Sequence, residues 1–396
     1  MRRLALALLA AAALAAPARA QDAGPAAPGV GLSDSVRVSL LTMLPGDAVY
    51  SVFGHSALRI RDDAAGLDRT YNYGTFSFDQ PFFLLRFLRG SLDYRLDTAP
   101  FEAVLRHYRS EGRPVIEQTL ALDPEAARTL YDLLEVNALP ENRDYRYDFF
   151  WDNCSTRMVD VVDAALRATG RPAVALPPVE RPRTFRELLA PYLAGMPALD
   201  AGLNLGLGAD GDRAATAREE TFLPVELAAQ FDRARVGDRP LVASRDTLFW
   251  VPGAGLPAPA PRWPLWAGWA LFALGAALTA GRWRRPPTRA GRLADAALVG
   301  IVGLVGAVLT LLWTATSHDV AGPNWSLLWA WPTHLGLAVA LARDRVGPRW
   351  RRYALVAAGA CALVLVAWAA LPQSLPAAVF PVVGLLAVRL GARGIP

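Results

Sequence analysis

Of 396 residues only two are cysteine and four are histidine. One of each stands where a covalent reaction could use it. Cys154 follows Tyr147-Asp148-Phe149-Phe150-Trp151-Asp152-Asn153, an aromatic run that stops on two good helix N-cap residues. Beyond it Met158, Val161, Val162, Ala165 and Leu166 recur at helical spacing, which predicts a helix from Cys154 to near Gly170. A sulfur in that first turn would meet unpaired backbone N–H groups and the positive end of the helix dipole, and both favour thiolate. The expectation is an acidic, nucleophilic thiol. A free cysteine is more commonly a small buried residue, but a place at a capped helix start favours chemistry.

A cysteine nucleophile needs a base, a group that orients the base, and donors for the oxyanion. His318 and His334 fall in the apolar C-terminal part, and His107 lies among Arg106, Tyr108 and Arg109 on a predicted helix surface. His55, directly after Gly54 on a predicted strand, is the base that remains. A strand histidine alone is more often structural; beside the one cysteine of the polar half, it reads as catalytic. Tyr50–Arg61 and Thr70–Tyr73 read as the two strands of a hairpin around Asp62–Gly66. A turn centred between Asp63 and Ala64 would set Asn72 directly across from His55, where Asn72 or a neighbouring tyrosine could hold the ring. A slip of one residue would send Asn72 to the other face. The chain has no lysine, which excludes Schiff-base and Walker-lysine chemistry. It has no His-Glu-x-x-His and no Cys-x-x-Cys, so neither a metal nor a cofactor is expected.

Several elements must position these groups. Met1-Arg2-Arg3, the apolar Leu4–Ala16 and Ala18-Arg19-Ala20 read as a signal peptide over residues 1–20, followed by a flexible leader over 21–35. A catalytic domain over 36–252 is expected. Its predicted parts are a strand at Val36–Leu41, a helix at Phe101–Ser110, a strand at Pro114–Leu122 and a helix capped by Asp123. A short helix capped by Thr184, a loop over Gly202–Gly208, a helix at Pro224–Arg235 and a strand at Pro240–Ser244 follow. Pro81–Leu88 is apolar with Arg86 and Arg89, which suits either a lipid interface or a core helix. Residues 253–262 read as a linker.

With 53% hydrophobic and 19% charged residues, the chain is too apolar to be wholly soluble. A transmembrane domain over 263–396 is expected, with about five spans near Leu265–Ala280, Ala294–Thr314, Ser326–Ala342, Ala354–Leu371 and Leu375–Val388. Arginines crowd the first and third loops and the tail, which the positive-inside rule puts in the cytoplasm. The same pattern accounts for the net charge of +5 without nucleic acid. Asn324 to His334 gathers Asn, Trp, Pro and His at the outer end of a span, either as a functional cluster or as an interfacial belt; His318, Asn324 and His334 stay open.

The order of strand His, hairpin, polar residue and later helix-start Cys resembles a circularly permuted papain-like domain, as in NlpC-related and lecithin:retinol acyltransferase-like proteins. More closely, the chain resembles the Lnb family. Gly54–Ile60, Tyr71–Phe76, Tyr147–Arg157, Gly206–Asp212 with Phe222-Leu223-Pro224, and Asn324–Pro332 carry the likeness. The resemblance implies an α+β, permuted papain-like periplasmic domain followed by an all-α bundle of about five transmembrane helices, in the bacterial inner membrane. It implies an acyltransferase with Cys154 as nucleophile and His55 as base and then acid. The acyl chain would pass from a phospholipid through a Cys154 thioester to the N-terminal amine of a diacylglyceryl-modified lipoprotein. A periplasmic cysteine hydrolase of peptidoglycan peptides or lipid esters, or a non-catalytic membrane-anchored module, are the competing readings.

Overall fold

The computed structural model describes residues 31–76, 81, 86, 89–281 and 287–394. The expected signal peptide, most of the leader, most of Pro81–Leu88, and Arg282, Arg284 and Arg285 lie outside the described residues.

The first half is an α+β unit. Its elements begin with β1 (Arg37–Met43), β2 (His55–Asp62), β3 (Leu67–Thr75), β4 (Asp93–Pro100), α1 (Phe101–Ser110), β5 (Val115–Leu120), α2 (Pro124–Ala138), β6 (Asp144–Arg146) and α3 (Thr156–Ala168). They continue with α4 (Phe185–Leu193), α5 (Pro197–Gly206), α6 (Ala217–Glu220), α7 (Pro224–Arg233), the short β7 (Arg235–Val236) and β8 (Arg239–Pro240), and β9 (Val242–Phe249). Seven strands form one sheet in the order β6-β4-β3-β2-β1-β5-β9, and every described pairing within it is antiparallel.

Both faces of the central strands are covered, so β1 is buried along nearly its whole length, Ser39 and Thr42 included. Val38, Leu40, Leu58, Ile60, Tyr71 and Tyr73 pack on one side against α2, α3 and α7. Leu41, Met43 and Ala57 pack on the other against Phe101 and Leu105 of α1. Asp123 caps α2 by accepting from the Ala126 N–H at 3.0 Å, and Thr184 with Glu187 forms a capping box at α4. Strand β2 starts only at His55, because residues 50–53 form turns rather than strand.

The predicted loop over Gly202–Gly208 is instead largely the end of helix α5. Pro197 at its first turn starts it, and its glycines do not break it because Leu199 and Leu203, one helical turn apart, pack on the same hydrophobic cluster.

The second half holds α8 (Trp263–Ala280), α9 (Arg289–Ala315), α10 (His334–Ala342), α11 (Pro348–Val366) and α12 (Phe380–Gly394). Val299, Val302, Leu337, Ala357, Cys361 and Leu386 share its core. Cys361 therefore serves packing; both cysteines are free. Five helical segments fall where five spans were expected, but among the described residues only three helices are long and apolar enough to cross a membrane: Trp263–Ala280, Arg289–Ala315 and Ala377–Gly394. The expected span at Ser326–Ala342 is a turn of 3-10 helix at Trp325–Leu328 and a short α10 starting after Pro332. Helix α11 carries Arg349, Arg351 and Arg352 in its first turns, which lowers its hydropathy.

The two halves are joined by buried polar contacts. The Asn324 side chain donates to the carbonyls of Leu205 and Gly206 at 2.9 and 3.2 Å, and Gln373 donates to that of Leu207 at 2.9 Å. Gly208 N–H reaches the Val320 carbonyl and Ala209 N–H that of Pro323, both at 2.8 Å. Arg186 holds the same strip from beneath, bonded to Asp212 and to the carbonyls of Asn204, Leu207 and Gly208.

Candidate active site

Asn153 fixes the turn that leads Cys154 into α3. Its side-chain oxygen accepts from the backbone N–H of Ser155 at 2.8 Å and of Thr156 at 3.0 Å, while Thr156 Oγ1 accepts from the Asn153 N–H at 2.8 Å. This reciprocal pair fixes the turn just before the helix, so Cys154 stands immediately ahead of the N-cap Ser155 and the helix begins two residues later than expected from the sequence. Asp152 is turned to Arg157, with which it pairs. The aromatic run is fixed upstream: Asp148 and Asp152 exchange backbone hydrogen bonds at 3.1 and 3.0 Å, and the Asn153 amide donates to the carbonyls of Phe149 and Phe222. Phe149 and Phe150 pack edge-on against Phe222 and Phe185.

The start of β2 meets this helix end. The Ser56 backbone N–H points at the Cys154 sulfur, as does the N–H of Cys154 itself. The Ser56 and Ser155 hydroxyls are 3.0 Å apart and fully buried, which locks β2 to the head of α3. From the other side comes Gly74 of β3. It has φ +89°, and a Cβ there would stand 3.3 Å from the Cys154 Cβ. Gly74 sits where the β3–β4 register shifts between Asn72 and Thr75, a β-bulge. Bulges beside sites re-aim the chain, and only glycine takes this backbone conformation without strain.

The β2–β3 register pairs Leu58 with Tyr71 and Asp62 with Leu67. Continued toward the open end of the hairpin, it would set His55 opposite Gly74, not Asn72. The predicted pairing is thus wrong by two residues, because the turn centres one residue later than expected. A shift of two keeps the face. Asn72 accordingly remains the polar neighbour of the His55 ring. Asn72 thus bonds the His55 ring, while Cys154 lies against Gly74 and against the backbone of Ser56, the residue after His55.

Their electrostatics differ from the expectation. Cys154 and His55 keep some accessible surface, yet protein surrounds both on most sides. Burial pushes the Cys154 thiol above its ordinary value, outweighing the Ser56 N–H, the Ser155 hydroxyl, its own N–H and the positive Arg113. Burial, aided by Arg113 and opposed by Asn72, lowers the His55 imidazole to about 4. The acidic sulfur expected from the helix start is overturned, since desolvation outweighs the helix terminus. At neutral pH the pair is thiol and neutral imidazole. Such a pair deprotonates sulfur as the sulfur attacks, with imidazole as general base.

Several further neighbours were not foreseen from the sequence. Arg113 is buried, bonds the Leu44 carbonyl at 3.1 Å and Glu111 at 3.1 Å, and keeps one buried guanidinium nitrogen without a partner. Tyr94 and Tyr147 stack at 3.9 Å and, with Tyr145, lie close enough to feel the Cys154 charge. The Tyr145 hydroxyl is buried without a partner. Only the density of tyrosine around residues 145–147 could have pointed to this ring.

The other histidines lie elsewhere. His107 pairs with Glu111 at 3.5 Å on the surface of α1. His334 is fully buried and satisfied, with Nε2 on the Trp329 carbonyl at 3.1 Å and Nδ1 on the Tyr353 hydroxyl at 2.6 Å, which is a packing role. Asn324 serves the junction described above. His318 lies against Gly90, where an added Cβ would stand 3.0 Å from the His318 ring.

Two family patterns match the chain. The Lnb N-terminal periplasmic domain covers residues 32–190 and the Lnb transmembrane domain residues 260–395. No curated protein and no solved structure gives a significant match. The two patterns take in both the Cys154–His55 site and the helical half, so the chain belongs to the Lnb family, as a multi-pass inner-membrane protein with its N-terminal domain in the periplasm.

Proposed function

We propose that this protein is a thiol-dependent N-acyltransferase, taking a fatty acyl chain from a phospholipid and passing it to the N-terminal amine of a diacylglyceryl-modified lipoprotein. The observation that carries the reading is the meeting of Cys154, at a capped helix head, with the His55 end of β2 through the Ser56 N–H and the Gly74 bulge. Membership of the Lnb family supports acyl transfer to lipoproteins in general. In this reading the unit over 36–252 is a permuted papain-like domain, residues 253–262 are its linker, and residues 263–396 cross the membrane about five times.

The cycle has two halves. His55 takes the Cys154 proton as the sulfur attacks the ester carbonyl of the phospholipid. The tetrahedral intermediate collapses by losing the lysophospholipid alkoxide, which leaves as the alcohol with the proton held by His55. A thioester remains on Cys154. The lipoprotein amine then attacks the thioester carbonyl, His55 accepts the amine proton, and the departing sulfur recovers it as thiol. The Ser56 and Cys154 N–H groups stabilise the sulfur whenever it carries charge. Asn72 orients the imidazole. A neutral resting pair suits an amine acceptor, because a neutral imidazole is free to take the amine proton. Five spans would keep donor, acceptor and enzyme in one bilayer, which raises effective concentration.

The test is expression of wild type and Cys154→Ala in a strain whose lipoproteins lack the N-acyl chain, with lipopeptide mass as readout. Wild type should add one acyl mass and Cys154→Ala none. An unchanged mass with well-expressed wild type would sink the transferase.

A further inference from the structure

A cavity of about 1010 Å³ lies where the α+β unit meets the helical half, and the steps above do not use it. We infer that it binds a single fatty acyl chain in extended or folded form. The choice of ligand rests on the acyl-transfer reading.

Helix α5 provides one wall. Ala198, Leu199, Gly202, Leu203 and Gly206 line the cavity and recur at the spacing of a single helical face. No residue of α5 is fully buried. Leu199 and Leu203 pack only partly, against the cluster that holds Phe185 and Tyr192, so this apolar face keeps surface open to an apolar occupant. The glycines widen the space: a Cβ at Gly202 would meet nothing within 4 Å, and one at Gly206 only Leu312 at 4.0 Å.

The opposite wall names the occupant. Trp263 begins α8 and Leu312 lies near the end of α9, two helices able to cross a membrane. With the N-terminal domain in the periplasm, these helix ends mark the outer surface of the bilayer. The cavity is therefore level with the chains of outer-leaflet lipids. Its volume is at the upper end of ordinary ligand sites, about 300–1,000 Å³. Among the described residues, Asp148, His318 and Asp319 are its ionisable lining groups, and no described arginine lines it to take a phosphate. That chemistry suits a hydrocarbon tail and not a headgroup.

The third wall ties the cavity to the nucleophile. Phe149 and Phe150 line it from the Asp148–Asp152 loop, which runs directly into Asn153 and Cys154. A chain whose carbonyl is on the sulfur would then extend beside this loop and between α5 and the ends of α8 and α9. The chain could come from the phospholipid donor or from the diacylglyceryl group of the acceptor; the chemistry is common to both.

The experiment uses full-length protein in nanodiscs of phosphatidylethanolamine and phosphatidylglycerol. In one arm a trace of phospholipid carries a diazirine near the end of one acyl chain. In the other, a synthetic diacylglyceryl lipopeptide carries the same group. After irradiation, labelled peptides are mapped by mass spectrometry. Labels should fall on 196–207 and 318–321, and Gly202→Trp, which fills the cavity from an open position, should lower them at least tenfold. Gly202→Ala is the folding control and should keep most labelling; Leu203→Trp repeats the block from a second position. The arm that labels identifies the source of the chain. Labelling confined to lipid-facing side chains such as Ile301 and Leu304, and unmoved by Gly202→Trp, overturns the inference. Repeating the labelling in Cys154→Ala separates the two claims. Cavity labels with no transfer by wild type retain the cavity and sink the transferase, and transfer without cavity labels does the reverse.

Discussion

Around Cys154 and His55, protein mass pulls both groups toward their neutral forms, and that sets how they respond to pH. An ordinary cysteine titrates near 8.5. Iodoacetamide labelling of Cys154 in Cys361→Ala protein should therefore reach half its maximal rate above that value; a midpoint below neutral would restore a preformed thiolate. The sign for His55 follows from its lowered value. The imidazole is the working base only when neutral, so transfer should persist as pH falls through 6.5 and be lost only as it passes about 4. His55→Ala should cost at least ~10²-fold, the usual contribution of a general base, with thermal stability retained. Asn72 favours the protonated ring, so Asn72→Ala should cost roughly tenfold and move the acid limb to lower pH. A wild-type limb, with full activity, would mean that Asn72 does not hold the ring.

At the scale of elements, the site depends on the bulge in β3 that lets Gly74 approach the head of α3. Gly74→Ala forces a Cβ into a left-handed backbone position and against Cys154. The strain should cost about 1–2 kcal/mol of stability. Transfer should fall more than stability suggests, by at least tenfold, because the new methyl displaces the nucleophile itself. Melting temperature and rate measured together check this; equal losses in both would make the bulge a purely structural feature. The Asp123 cap of α2 and the Thr184 cap of α4 were legible in the sequence, since each is set by neighbours a few residues away. The bulge was not, because it arises from two strands pairing out of step, and β4 gave no alternation to announce it. Helix α5 was misread as a loop on its glycines, whose freedom is exercised only where no packing opposes it.

For the molecule as a whole, the junction through Asn324, Gln373 and Arg186 sets the height of the site above the bilayer. Arg186 is buried, and removing its charge partner by Asp212→Ala should cost about 3–5 kcal/mol. A gentler probe is Asn324→Ala with Gln373→Leu, which leaves the α+β core intact. Labelling of Cys154 by a water-soluble thiol reagent should stay within about twofold of wild type, while transfer in membranes falls at least tenfold. Parallel loss of both would make the junction part of the fold and not a positioning device. The count of helices fit to cross a membrane also belongs here. Arginine placement pointed to the orientation found, with the N-terminal domain in the periplasm, while apolar run length did not foresee that Ser326–Ala342 turns and restarts inside a packed bundle.

The sequence alone pointed to Cys154 and His55 as the chemically distinctive pair and determined the division into a polar half and an apolar half. These are matters of residue type and short-range periodicity, which local chain geometry obeys. Tertiary structure alone decided the charge state of the pair, the register that brings Asn72 and Gly74 to the site, and the cavity between the two halves. Each depends on segments far apart in the chain, and desolvation in particular is a property of everything packed around a group, which no stretch of neighbouring residues records.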